Sequence, residues 1–399
     1  MPPSSRIGFI LVLSHAVLVQ ILTYAIRPTI SYGILEAGGS PALLGVAAAA
    51  FALPSLALAL PTGHILDRIG EKPGLIIGPL ALIAAAGLAL MGHASVPLLL
   101  LATVILGIGH LTCLVAQQTA VANRSSRARG DSLFGLYTFA ASAGQTIGPL
   151  LLGLPGGTPE TPPIQLIFLL CTSIACVMLA LALFMTSSIR QPLETRPSML
   201  KTAAILLRTR GVPRALIATS VVLAAVDIFL TYAPALGHER GLSATVVGIM
   251  LAARSILSMF SRLFLGSLVR LIGRRRLVVW SIALSAVSLA CFVFPLPELW
   301  LIALAAVFGF VVGICQPITM SWISELAPPG TRGLAMSMRL AANRLGQTVL
   351  PAVLGAFATA TGAAGVLVAT SVFLGGATWS SSAIPDSERE RPYPDDAPA

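Results

Sequence analysis

Charge is scarce in this chain, and acid is scarcer than base. Asp, Glu, Lys and Arg make up only 10% of its 399 residues, 15 acidic against 25 basic, while 56% of residues are hydrophobic. That is too little charge for an ordinary water-soluble protein. Cysteine is sparse as well. Cys113, Cys171, Cys176, Cys291 and Cys315 are odd in number, all fall inside apolar runs, and no close pair has metal-ligand spacing, so neither metal binding nor other cysteine chemistry is expected. No nucleophile and base grouping, metal cluster or phosphate-binding loop appears, so the chain is expected to be neither an enzyme nor a holder of a cofactor or metal. A large soluble domain that could relay a signal is missing too.

What the sequence has in abundance is apolar runs of about 18 to 25 residues, each long enough to cross a hydrocarbon layer about 30 Å thick as a helix. They fall near 7–33, 41–63, 74–92, 97–122, 132–154 and 164–187, then near 213–236, 244–269, 277–295, 299–324, 334–358 and 363–384. The expected fold class is therefore an all-α membrane protein with twelve transmembrane helices in two six-helix bundles, residues 1–187 and 213–384. Residues 188–212 read as a basic, prolyl cytoplasmic linker, and residues 385–399, "PDSERERPYPDDAPA", as a disordered cytoplasmic tail. The first run is too long for a signal h-region and lacks a convincing cleavage site, so it reads as a retained span.

The net charge of +10 could suggest nucleic acid, but its placement follows the membrane. With the N-terminus inside, cytoplasmic segments collect Arg6, Arg68, Lys72, Arg124, Arg190, Arg214, Arg274 to Arg276, Arg332 and others, whereas the opposite face holds only Arg240. This bias puts both termini in the cytoplasm and removes the case for a nucleic-acid partner.

The halves repeat. A shift of 202 or 203 residues lays Ser40 on Ser243, Gly45 on Gly248, Gly70 on Gly273, Gly107 on Gly309 and Cys113 on Cys315. It also lays "GQTIGPLLLG" (Gly144 to Gly153) on "GQTVLPAVLG" (Gly346 to Gly355). Repeats of this kind in transporters enclose a site between halves that rock against each other.

Between the second and third spans stands "GHILDRIGEKP", in which Gly63, Asp67, Arg68, Gly70 and Lys72 fit the pattern Gly-x-x-x-Asp-Arg/Lys-x-Gly-x-Arg/Lys. This resembles the loop signature of the major facilitator superfamily, and the resemblance covers essentially the whole chain. It implies twelve spans, alternating access by a rocker switch, and docking of Asp67 against the start of helix eleven in the outward-open state. The second-half copy "GSLVRLIGRRR" puts Arg270 where the carboxylate stands, and pseudo-symmetry brings it toward Asp131 at the start of helix five as a charge-swapped latch. In helix five, Gly135, Gly144, Gly148 and Pro149 resemble the hinge motif of the family's antiporters, with Gly153 one position late. Small residues at such spacing allow either hinge bending or plain close packing. The arginine of the family's fourth-span motif is absent, with Thr103 in its place.

Ionisable groups at bilayer depth are costly and normally face a cavity or a partner. Asp227 is the one carboxylate placed deep in a span, and it reads either as a counter-ion to Arg254 or Arg344 or as a protonatable coupling site. Arg27, Arg254, Arg344, Asn343, Gln316, Tyr32, Tyr232 and His110 are the other candidates for a substrate cavity. Arg27 is interfacial if helix one ends there and faces the cavity if it does not. Arg262 and Arg339 lie nearer the cytoplasmic ends, where they can snorkel. The expected function is a secondary transporter of a small organic molecule in the bacterial-type inner (plasma) membrane, a monomer in the lipid bilayer. A proton-coupled exporter is the first reading, and an organic-anion carrier or exchanger built on the arginines is the second.

Overall fold

The computed structural model describes residues 3–124, 130–185, 207, 208, 211–326 and 332–383. Most of the anticipated linker and the tail beyond residue 384 lie outside the described residues. Among the described residues there are helices and turns but no strand, as lipid demands of an open chain whose backbone groups must bond to one another.

The first half comprises α1 (Pro3–Glu36), α2 (Pro41–Ile69), α3 (Glu71–Met91), α4 (Val96–Arg124), α5 (Gly130–Leu150) and α6 (Ile164–Phe184). The second half holds α7 (Val212–Glu239), α8 (Ala244–Ile272), α9 (Arg274–Ala290) and α10 (Glu298–Leu326). Its last stretch, Arg332–Ser382, is broken at Gly362 (φ 68°, ψ −178°) into α11 (332–361) and α12 (363–382). Glu239 at the end of α7 accepts a hydrogen bond from the Ala363 backbone N–H at 2.8 Å, which caps the free amino end of α12. Ten helical segments are apolar and long enough alone to cross a membrane; one of them contains both α11 and α12, and α5 is not among them. Dividing the joined segment and adding α5 gives twelve. α5 falls short because Gly, Ser, Thr and Gln take up much of its length.

Two glycines carry the tightest turns. Gly70 (φ 94°) separates α2 from α3 and its repeat partner Gly273 (φ 83°) separates α8 from α9, a left-handed region that other residues reach only with strain. The signature's lysine follows at once: Lys72 donates to the Leu183 carbonyl oxygen at 3.3 Å. Its counterpart Arg275 donates to the Ser382 carbonyl oxygen, where Arg214 also donates to Ala383 O at 3.3 Å. Each half thus uses its loop cation to satisfy orphan carbonyls at the end of its own sixth helix. At the opposite end, Arg240 donates to the carbonyls of Phe292, Val293 (3.2 Å) and Phe294 (2.9 Å) and closes off α9. Arg240→Gln is expected to lower unfolding stability by about 1.5 kcal/mol, read as a drop in the thermal midpoint of detergent-purified protein.

The repeat glycines set how helices meet. A Cβ at Gly107 would strike the Phe51 carbonyl, and one at Gly309 would strike the Arg254 backbone. α4 therefore lies against the backbone of α2 as α10 lies against that of α8, at equivalent residues. Gly144 presses on Val17 O in α1, and Gly346 presses on Ser220 in α7. Close backbone approach of this kind is what small residues provide in lipid.

Candidate functional site

Most buried hydroxyls are answered inside their own helix. Thr23 donates to Val19 O (2.7 Å), Thr29 to Ala25 O (2.8 Å), Thr103 to Leu99 O (2.8 Å) and Thr319 to Cys315 O (2.9 Å). The charged side chains cannot be satisfied so locally, and they gather where the halves meet.

At that place Arg27 Nη1 donates to Asp227 Oδ1 at 2.8 Å, joining α1 of one half to α7 of the other. Both residues are buried, at 7% and 4% exposure. α1 continues through Pro28 to Glu36, so Arg27 is not at a helix end and the interfacial reading of it falls away. Its guanidinium lies over the Phe51 ring, 4.2 Å from the centroid, an orientation in which the ring face stabilises the cation. Phe51 also packs on His110, with centroids 5.3 Å apart. Thr103, standing where the family's fourth-span motif has arginine, lines the same small cavity as Arg27.

Arg254 and Arg344 approach from α8 and α11, and both feel the charges of Asp227 and Arg27. Arg254 donates to Ser255 Oγ at 2.7 Å and faces the Tyr24 ring at 5.9 Å. Arg344 donates to Gln347 Oε1 at 3.2 Å. Asp227 was expected to answer Arg254 or Arg344, but its hydrogen-bonded partner is Arg27. Beside the centre, Arg262 spans α5 and α10, donating to Ser142 Oγ (3.4 Å) and Gln316 Oε1 (3.5 Å). Asn343 is buried, with its Oδ1 lacking a hydrogen-bond partner among the described residues. Arg339, half-buried, donates to Thr219 Oγ1 at 3.4 Å.

Tyr32 and Tyr232 lie elsewhere, toward the end of the bundle remote from the chain termini. Tyr232 donates to the Pro41 carbonyl at 3.2 Å. Around it the halves touch backbone to backbone: a Cβ at Gly45 would strike Pro351 O and the Gly355 Cα, and one at Gly248 would strike Pro149 O. Gly45 and Gly248 are repeat partners, as are Pro149 and Pro351. Each copy of the repeated decamer thus presents its proline carbonyl to a glycine of the opposite half, and the seam at this remote end is shut. The Ala244 N–H also donates to Pro159 O at 2.9 Å across it. In α5, Gly148 lies directly on Ile21 O of α1. Gly135 lies in the first turns of the same helix.

The side chains of Asp67, Arg68 and Asp131 lie outside the described residues, so the expected docking of Asp67 and the Asp131 latch do too. Arg270 donates to Ser267 Oγ at 3.3 Å. A Cβ at Gly63 would meet nothing within 4 Å among the described residues; the turn's demand for glycine falls on Gly70, with its φ of 94°. Among the described residues no group of three or more His, Cys, Asp or Glu could hold a metal.

Phe51, Tyr24 and Ser255 are the members of the centre that sequence reasoning passed over. Phe51 carried one signal, since it is the sole Phe, Tyr or Trp of α2 and stands 203 residues before Arg254.

No curated protein matches the chain by sequence. Solved structures share its fold. A mutant of the nucleoside transporter NupG superposes with a TM-score of 0.78 at 12% identity, covering 94% of this chain and 98% of that one. A bacterial homolog of the human lysosomal transporter Spinster, described as inward-facing and unoccupied, gives 0.73 at 17% identity, covering 96% and 98%. A D-xylose-proton symporter gives 0.73 at 17%, covering 95% and 98%. The sequence profile described as Major Facilitator Superfamily matches residues 12–234 and again 215–399. Two matched stretches that together span nearly the whole chain, on a fold of twelve helices in two repeated halves, make it a member of the major facilitator superfamily.

Proposed function

We propose that the chain is a secondary active transporter that moves a small organic anion across the inner membrane as a monomer, by alternating access around the Arg27–Asp227 pair. The observation that carries this reading is the joining of α1 and α7 by a buried ion pair with two further buried arginines beside it. Guanidinium forks match carboxylate and phosphate geometry, and at this depth they have few other uses. Rocking the halves moves Arg27 relative to Arg254 and Arg344, so a solute held by all three senses both orientations. With the remote seam shut, solute reaches the centre from the side of the chain termini, and the loop arginines on that side support a cytoplasmic placement for it. Asp67 at the start of α11, and Asp131 with Arg270, then close that side in the opposite orientation.

A second reading is the proton-coupled exporter. Its support is in α5, where Gly144 and Gly148 rest on the α1 backbone at Val17 and Ile21. Pro149 deprives α5 of one backbone bond, so bending there would displace the helix that carries Arg27. Proton coupling then requires Asp227 to exchange Arg27 for a proton.

Proteoliposome flux with and without an imposed pH gradient separates the readings. For an anion carrier, flux of organic anions into anion-loaded vesicles is expected to proceed without the gradient, so Asp227→Asn has no pH-gradient dependence to lose. Wild-type flux that needs the gradient, together with a variant that exchanges solute but ignores it, would establish the exporter reading instead.

A further inference from the structure

The centre holds more positive charge than its own carboxylate answers. Arg27, Arg254 and Arg344 are 7%, 3% and 9% exposed, and Asp227 is the buried carboxylate among them, which leaves two positive charges over. The other neighbours supply ring faces, a hydroxyl, an amide and the His110 imidazole, while Arg262, less deeply buried at the edge of the centre, is engaged by Ser142 Oγ and Gln316 Oε1. Several polar atoms of the cluster are buried without a hydrogen-bond partner among the described residues: Arg27 Nη2, Arg254 Nε, Asp227 Oδ2 and both ring nitrogens of His110. Buried donors of this kind are costly unless a ligand meets them.

The donors also come from both halves, Arg27 from the first, Arg254 and Arg344 from the second. A small cavity adjoins Arg27 and is lined also by Ser31, Thr103 and Thr231. It is far smaller than the roughly 300–1,000 Å³ of pockets that hold drug-sized ligands, so a bulky solute has no place here in this form.

We propose that the solute is a small dianion, a short dicarboxylate or a phosphomonoester, whose two negative charges neutralise the centre, and that the protein is consequently an exchanger. This rests on the transport reading above. While a side of the bundle is open, water can solvate the surplus guanidinium charge. Passing to the other orientation closes the centre on both sides, and a site carrying two uncompensated charges resists that dehydration. With a dianion bound, the three arginines, Asp227 and the solute sum to zero, and the closed form becomes accessible. An anionic group on Arg27 also competes with Asp227, loosening the cross-half pair at the moment the charge balance is met.

The test uses the full chain in proteoliposomes with the membrane potential clamped, loaded in turn with radiolabelled succinate, glycerol 3-phosphate, lactate or ribose. Efflux of succinate or glycerol 3-phosphate is expected to be on the order of 100-fold faster into medium holding the same dianion than into anion-free medium. Lactate and ribose should show little movement in either medium. Arg344→Gln, which leaves one surplus positive charge, should shift the preference toward lactate. Because that variant can fail to fold, thermal shifts of the wild-type protein with each probe give an independent reading, with the dianions raising the midpoint most.

Net dianion efflux as fast as exchange overturns the exchanger half of the proposal. Lactate or ribose carried as well as succinate and glycerol 3-phosphate overturns the dianion while leaving a carrier. A protein stabilised by the dianions that moves no probe keeps the dianion site and overturns the carrier reading, and an absence of both shift and flux with both dianions overturns the site itself.

Discussion

Asp227→Ala should destabilise the protein by about 3–5 kcal/mol, because it leaves Arg27 buried and unpaired at the junction of the halves. The surrounding arginines worsen the effect, since removing the one local carboxylate raises the surplus from two positive charges to three. The double variant Arg27→Met with Asp227→Leu removes the pair together and fills its space with apolar atoms. It is expected to recover most of the lost stability, as replacement of buried ion pairs by apolar groups often does. Transport should not return with it. Stability is read as the thermal midpoint in detergent and transport as solute counterflow. An unchanged midpoint in Asp227→Ala would mean that the pair does not hold α1 to α7, and full counterflow by the double variant would remove the pair from the transport site.

The second large effect is expected from a wedge at the remote seam. Leucine at position 45 has no room against Pro351 O and the Gly355 Cα. Overpacking of this order costs about 1–3 kcal/mol, equivalent to roughly 5–150-fold in a two-state equilibrium. Since the contact exists only while this end is shut, Gly45→Leu should shift the population toward the form open at this end. Spin labels at Glu36→Cys and His238→Cys, in a background lacking the exposed Cys176, are expected to report a longer separation in the variant. Transport should slow because one orientation is overpopulated. An unaltered label distance would mean that the seam yields by local repacking and does not gate.

Much of this architecture was legible in the letters. The twelve apolar runs and the break near residue 362 follow from length and from glycine and proline punctuation, and the repeat pairs Gly45 with Gly248 and Gly107 with Gly309 could be aligned before any coordinates. Their work could not be read there. A repeat shows that two positions are equivalent, but only packing shows that each admits a backbone from another helix, within its own half at Gly107 and Gly309 or across the seam at Gly45 and Gly248.

The charged centre was half legible. Arg27, Asp227, Arg254 and Arg344 stand out because ionisable groups are rare in apolar runs. The pairing was misread because Arg254 and Arg344 share a half with Asp227, whereas α1 and α7 are drawn together across the junction of the halves. That pair lies 200 residues apart, outside the 202 or 203 shift that relates the repeats. Phe51 was missed for a different reason. An aromatic in an apolar helix carries no mark that sets a cation-facing ring apart from one facing lipid, until a guanidinium is found 4.2 Å above it. Tyr232 was assigned to the cavity by its hydroxyl, and that hydroxyl proves to be spent on Pro41 O at the seam.

Lys72, Arg214 and Arg275 belong to the basic set expected to orient the chain in the bilayer, yet each also fastens the end of a sixth helix. Neutralising them to invert the insertion would therefore unravel the last turns of α6 or α12 as well, and misinsertion would be confounded with local melting. Linker arginines such as Arg190 and Arg196 are the better levers for steering orientation, with the three fasteners left in place.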